Sequence, residues 1–504
     1  MRSLFSRKPI SELVPEGEGS LKRALGAGDL IMLAIGAVIG AGIFSAIGTA
    51  AAGETTAAGE VLRAPAGPAL VFSFLLLALV CGLAALCYAE LSAMIPQAGS
   101  AYAYSYATLG EVIAWIIGWD LILEYAVGNI AVAVAWSGYF TSLLSGFGIH
   151  FPDWLTHGYR TALLSADPAV HGLLETAPRL AGIPILLNLP AFVIVMLITF
   201  LLLMGVKESA RANNIMVVIK LLVLGLFIAI GSMHIDTANY KPFAPGGFRG
   251  VWQGAAIIFF AYIGFDAIST AAEETKNPQR NMPIGILGGL AICSLIYIVV
   301  GIVATGLVPY SQLRAADPLS KALEVAGLST ASWIVAAGAV VSLTAVLLVF
   351  QYGQPRIFYA MARDGLLPPF ATKLSKTRRV PYVTTWITGI VVAVGALVAD
   401  ENEIYDLTNI GTLSAFAIVC IGVLVLRYKE PNRVRPFRIP GGIIGVWVVA
   451  IGGAALCILT AAGLPAKAWE RFGLWMALGL ALYFVYGFRN SHLRRGTSTP
   501  PTQP

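Results

Sequence analysis

GAVIGAGIF, residues Gly36–Phe44, lies in the middle of the first long apolar run of this 504-residue chain. Glycines at Gly36, Gly40 and Gly42 let the backbone leave helical geometry and approach another group closely. A helix broken there inside a membrane turns amide N–H groups and carbonyls toward its surroundings, which is tolerated only where they line a cavity or are buried in protein. Two readings follow from the glycines alone. They mark a break that binds a polar ligand by main chain, or they are small residues that let helices pack closely.

Composition places the stretch in a bilayer. Hydrophobic residues make up 57% of the chain and charged residues 12%, about half the charge of a soluble domain. Repeated apolar runs of roughly 18 to 25 residues are each long enough to cross a hydrocarbon core of about 30 Å. The reading is an all-α polytopic membrane protein with about twelve spans, at 28–50, 68–94, 104–144, 184–204, 213–233, 251–273, 284–308, 332–358, 383–399, 406–427, 443–463 and 469–488. Residues 1–27, with Arg2, Arg7, Lys8, Lys22 and Arg23, read as a retained cytoplasmic tail, and 489–504 as a second one.

The net charge of +6 is a topology signal, with no nucleic acid partner implied. With the amino terminus inside, roughly 23 Lys and Arg fall in cytoplasmic segments and roughly 9 outside, the positive-inside pattern. Basic segments such as Lys373–Arg379 and Arg427–Arg438 would anchor that topology and touch anionic lipid. The five cysteines all sit in apolar runs and the five histidines in loops or the tail. Neither pattern suggests a metal site, a cofactor or an enzyme's catalytic grouping.

Several polar residues stand out against the apolar background. Glu124 lies thirteen residues, roughly 20 Å, past Glu111, at a depth where a carboxylate is costly and is a functional candidate by default; Asp120 shares its face. Lys220 lies about seven residues, or roughly 10 Å, past Asn213. Either its stem snorkels to the interface, or its ammonium sits where it gains and loses a proton as a cavity opens. Ser342 and Thr344 in the eighth run are its natural acceptors if they face it, although such hydroxyls also bond to their own helix. Pro96 and Gly99 end the second run, and Ser100 can cap a short interfacial helix before the third. Gly146–Pro184 reads as an outer loop rather than a folded domain.

The sixth run, FFAYIGFDAISTAAEETKNPQRNMP from Phe259, is aromatic first and polar after Asp266, Ser269 and Thr270, with Gly264 as a hinge. An interrupted first run and an interrupted sixth suggest corresponding halves, 28–233 and 251–427, with a site between them. The runs within 443–488 would be peripheral.

Four stretches carry a resemblance: GAVIGAGIF at Gly36, YAELSAMIPQAGSAYAYSY at Tyr88, GFDAISTAAEETKNPQRNMP at Gly264 and MARDGLLP at Met361. Together they resemble the amino acid, polyamine and organocation transporter superfamily, most closely bacterial members of its cationic amino acid transporter family. The resemblance implies a five-plus-five inverted repeat with broken helices one and six, two peripheral helices, and a bacterial inner membrane. It implies that a substrate carboxylate is held by N–H groups of Ile39, Gly40, Ala41, Gly42 and Ile43, and an ammonium by carbonyls of Gly36, Ala37, Phe260, Ala261 and Ile263. Phe260 matches an aromatic gate, Glu124 an acidic position lining the pocket, and Lys220 a lysine that stands in for a sodium ion in proton-coupled relatives. Ala41 departs from the pattern, because many relatives place Ser or Thr there. The expectation is a permease for a small-molecule L-amino acid, with the proton as coupling ion. Obligatory exchange and non-transporting sensing are the alternatives, and a small single-span subunit is left open as a partner.

Overall fold

Backbone polar groups in a bilayer have no water to bond with, so a chain this apolar must satisfy them within helices, and it does. The computed structural model describes residues 4–9, 25–56, 59–96, 100–204, 210–375 and 380–495. The ends of both tails, most of the Lys207–Asn213 approach to the fifth span and part of the Lys373–Arg379 segment lie outside the described residues or side chains. Among the described residues, eight helices are long and apolar enough to cross a membrane, and a ninth span is a pair, Ala27–Val38 and Gly42–Ala52, bent by 47° at its break. The shorter apolar helices Leu189–Leu203 and Tyr382–Val398 and the interrupted segment 247–274 complete twelve.

The long third run resolves as two elements. Helix Ser100–Thr108 is separate from the third span, Glu111–Ser145, at Gly110, whose φ is 108°. The sixth span runs as a helix over Gly247–Ile258, tightens over Phe259–Tyr262, breaks around Gly264 and resumes over Asp266–Glu274. Gly146–Pro184 carries more structure than a bare loop. Three short helices and a two-residue hairpin close over Ala162, Ala177 and Leu186, and Arg160 pins them to Glu403 of the tenth span.

The packing is symmetric under exchange of each span with the one five later. The second packs on the seventh (Pro278–Leu307), the third on the eighth (Ser329–Arg363), and the fourth on the ninth. The pairing of third with tenth (Glu401–Lys429) is matched by eighth with fifth (Asn214–Ser232), and that of first with seventh by sixth with second. Five spans are an odd number, so the second set crosses in the opposite sense. Close approach relies on small residues: Gly285 and Gly289 of the seventh span face Leu30 and Ala34 of the first, and a Cβ at Gly289 would stand 2.2 Å from that of Ala34. This is the small-residue contact expected where apolar burial gives helices no reason to associate.

The eleventh span (Gly442–Ala461) packs on the second and tenth, and the twelfth on the third and tenth, as the peripheral placement predicts. Trp475 of the twelfth stacks on Trp119 at 4.4 Å, and each indole donates to the other's carbonyl. At the face from which the first span starts, here the amino-terminal face, Glu111 is fully buried. It accepts from Tyr106, Tyr483, Ser491 and Arg494. On the same face Leu25 donates to Glu274 O and Lys276 donates to Leu25 O, which joins the start of the first span to the end of the sixth.

Removing one partner of a buried ion pair strands the other and costs about 3–5 kcal/mol, whereas an exposed pair is worth about 1 kcal/mol or less. Glu111→Ala is therefore expected to lower the unfolding temperature of the detergent-solubilised protein markedly. Glu324→Ala, which breaks only the exposed pair with Lys321, is expected to leave it nearly unchanged.

Candidate functional site

The two breaks meet in the middle of the bundle. A Cβ at Gly42 would lie 2.2 Å from the Ala261 Cα, and one at Gly264, whose φ is 116°, would lie 2.9 Å from the Ala37 carbonyl. No larger residue fits either contact. Tyr297 of the seventh span ties the breaks together, its hydroxyl lying 2.9 Å from Val38 O and 2.8 Å from Ala261 O.

The two ends of the first break present opposite charge. The half-helix that starts at the amino-terminal face stops at Val38, and its last carbonyls form the negative end of a helix dipole. Lys220, fully buried, donates to Gly36 O at 2.8 Å and Ile39 O at 2.6 Å. The outer half-helix begins at Ala41 and Gly42. Of the amides expected to hold a carboxylate, Ile39 N–H already donates to Ile35 O and Ile43 N–H to Gly40 O, which leaves those of Gly40, Ala41 and Gly42, where the positive dipole end favours an anion. On the sixth span, Asn409 of the tenth donates to Ala256 O and Ile257 O, satisfying the carbonyls just ahead of the break.

The side chains around these main-chain groups are mostly apolar. Gly40 faces Val346, and Gly128 of the third span faces Phe350, Thr408 and Phe260. Phe260 packs against Tyr405 at 4.6 Å, and Phe350 against Tyr125 at 5.5 Å. Ile39, Ala41, Ile43, Ala261 and Ile263 are all buried at this crossing. Above it, a cavity of about 930 Å³ opens toward the opposite face and reaches down to Thr49, Glu401 and Asn402. Its floor is closed where Ser45 donates to Glu401 at 3.1 Å, Thr49 donates to Asn402 at 3.0 Å, and Tyr139 donates to Phe44 O. Asp317, on the segment between the seventh and eighth spans that lines this cavity, is pushed up to about 6 by burial, which its bond to Ser142 offsets only in part.

Three sequence expectations are placed differently. Lys220 bonds to carbonyls rather than hydroxyls. Thr344 donates to Val340 O and accepts from Trp136, so its helical position turns it toward the third span; Ser342 is buried and bonded to neither. The Gly36 carbonyl, expected to receive a substrate ammonium, already receives that of Lys220. Glu124 is buried beside Thr412, with Asp120 and Asp266 as its acidic neighbours, amid polar surroundings distinct from the apolar wall of Val346 and Phe350. Tyr297, Asn409, Tyr139 and Glu401 were not singled out from sequence. A lone phenol or amide inside an apolar run was the available signal for the first three. Among the described residues, no group of three or more His, Cys, Asp or Glu could hold a metal ion.

The family profile described as amino acid permease matches residues 25–485. The chain is 45% identical to the branched-chain amino acid permease BcaP of Bacillus subtilis, over 98% of this chain and 99% of the relative. It is 44% identical to the methylthioribose transporter of the same organism, over 98% and 100%. The vacuolar cationic amino acid transporter 2 of Arabidopsis thaliana is 38% identical over 86% of this chain and 64% of its own length. All three are named as permeases or transporters, a non-enzymatic class. A bundle with broken first and sixth spans, matched along nearly its whole length, belongs to the amino acid permease family of the amino acid, polyamine and organocation transporter superfamily.

Proposed function

We propose that this protein carries neutral L-amino acids with aliphatic side chains across a bacterial inner membrane by alternating access, coupled to protons. One observation carries the reading. The first break offers free first-turn amides at Ala41 and Gly42 for a carboxylate, a few residues from the Lys220 ammonium on Gly36 O and Ile39 O. Recognition through main chain tolerates Ala41 in place of a hydroxyl residue. The substrate class follows from the wall of Val346, Phe350, Tyr125 and Phe260, and the name of the Bacillus branched-chain permease points the same way. Residues 28–233 and 251–427 serve as the two repeats, and the bias of Lys and Arg puts both termini in the cytoplasm. The cavity then faces outward.

Lys220 supplies the coupling in this reading. An ammonium stripped of water is held while Gly36 O and Ile39 O accept from it, and it gives up its proton when movement of the first span takes those acceptors away before water replaces them. Obligatory exchange is the second reading, favoured by the two carbonyl bonds that would hold Lys220 as a permanent cation. Uptake of labelled leucine into empty proteoliposomes under an imposed pH gradient separates them, since symport gives accumulation and exchange gives none without internal amino acid.

Three outcomes are expected. Lys220→Ala lowers accumulation, and Lys220→Arg, whose guanidinium does not release its proton, fails to restore pH-driven uptake; wild-type pH dependence in both would refute the role. Gly42→Val abolishes binding, because its side chain would overlap Ala261; the check is loss of the thermal shift given by leucine. Gly128→Val fills the space beside Phe350 and lowers leucine uptake relative to alanine by about 10-fold or more, measured by competition.

A further inference from the structure

We propose that Glu401 is a proton-binding residue of the outer gate: its carboxyl takes a proton from the opposite-face cavity as the first span closes against the tenth, and returns it when the gate opens. The proposal rests on the transport reading above and adds to it a group that faces the cavity rather than the break.

The placement is what singles it out. Glu401 lines the floor of the cavity, so water reaches it from the opposite face. It also accepts from Ser45, which belongs to the outer half of the broken first span, within Gly42–Ala46. One side chain thus joins the aqueous side to the segment whose amides await the carboxylate.

Its neighbours explain why the proton matters. Every other carboxylate on the first turns of the tenth span has a partner suited to negative charge. Asp406 pairs with Arg63 at 2.9 Å, and Glu54 lies 3.5 Å from the same guanidinium. Glu403 takes Arg160 and Arg471. Asp400 caps the helix, accepting from the amides of Asn402 and Glu403. Glu401 has neutral donors, the hydroxyls of Ser45 and Tyr405. The groups facing it are the carboxyls of Asp400 and Glu54 and the phenols of Tyr405 and Tyr139, none of them basic, while Arg314, Lys321, His150, His157 and Asp317 line the same cavity.

Closing the gate on an ionised Glu401 would strip water from a charge held beside two like charges. A hydrogen bond from a hydroxyl does not repay that loss. Closing it on the neutral acid carries no such penalty and keeps the bond to Ser45. Proton binding from outside therefore favours closure, the order of events an inward symporter requires.

The test reads the gate without reading transport. Ala46→Cys places a thiol at a fully buried position beside the latch, and a membrane-impermeant maleimide is added at the cavity face of the full-length protein in liposomes. Labelling, divided at each pH by that of a free thiol because maleimide reacts with the thiolate, is expected to rise several-fold as that side is taken from about pH 5 to about pH 8, because loss of the Glu401 proton opens the gate. In Glu401→Gln, a neutral side chain that still accepts from Ser45, labelling is expected to stay low and flat. Asp317→Asn, a titratable group of the cavity wall outside the Glu401 cluster, is expected to keep the wild-type response.

A pH response that persists in Glu401→Gln overturns the proposal, and so does one abolished by Asp317→Asn. Should Glu401→Gln not fold, Ser45→Ala serves instead: loss of the latch is expected to leave labelling high at both pH values, and an unchanged low value at about pH 5 overturns the proposal. No substrate enters these measurements. Failure of the amino acid reading would appear as absent leucine uptake with the labelling response intact.

Discussion

Everything in this bundle depends on two unwound segments meeting, and finding partners for their backbone groups, at a depth where water is absent. The contacts of Gly42 with Ala261 and of Gly264 with Ala37 set the distance between them, and the single hydroxyl of Tyr297 reaches a carbonyl on each. Lys220 then settles the negative end of the first half-helix. Remove any of these and peptide groups are left without partners in a low-dielectric interior, which costs more than most single contacts supply. The rest of the protein can be understood as the frame that keeps this arrangement in register. Third crosses eighth, second crosses seventh, and the peripheral spans brace the third and tenth through stacked tryptophans and the buried Glu111 cluster.

Much of that arrangement could be read from residues one at a time. Glycines spaced through an apolar run, a hinge glycine between aromatic and polar halves, and a lysine seven residues into a span are each anomalous where they stand, because the bilayer makes polar groups conspicuous. The span count is legible for the same reason, and Gly110 marks where an over-long third run divides. Partners are another matter. That Lys220 would meet Gly36 and Ile39 rather than Ser342 depends on how the fifth span rotates against the first, and helical position alone left its acceptors undecided. Ser45 and Glu401 lie 356 positions apart, so no local pattern joins them. Glu401 also hides among the other acids at the start of the tenth span, and only its lack of a cationic partner sets it apart. The 146–184 segment was underestimated because its polar composition conceals a small apolar cluster.

Charge is distributed between the two faces with different purposes. At the amino-terminal face the ion pairs are structural ties: Arg427 holds Glu90, Lys8 reaches Asp364, and Arg494 reaches Glu111. They join the scaffold spans and the first residues of the chain. At the opposite face the acids outnumber the bases around the cavity, and the bases present are committed to particular partners. The polar vestibule is thus negative on balance, while the site beneath it is built from uncharged main chain and apolar side chains.

The backbone bridge of Leu25 with Glu274 and Lys276 has a mechanical corollary. It couples the lower arms of both interrupted spans through main-chain bonds that side-chain substitution leaves in place. Movement of one arm about its glycine joint therefore carries the other with it, so this end of the bundle has a single degree of freedom where two independent flaps would have given two.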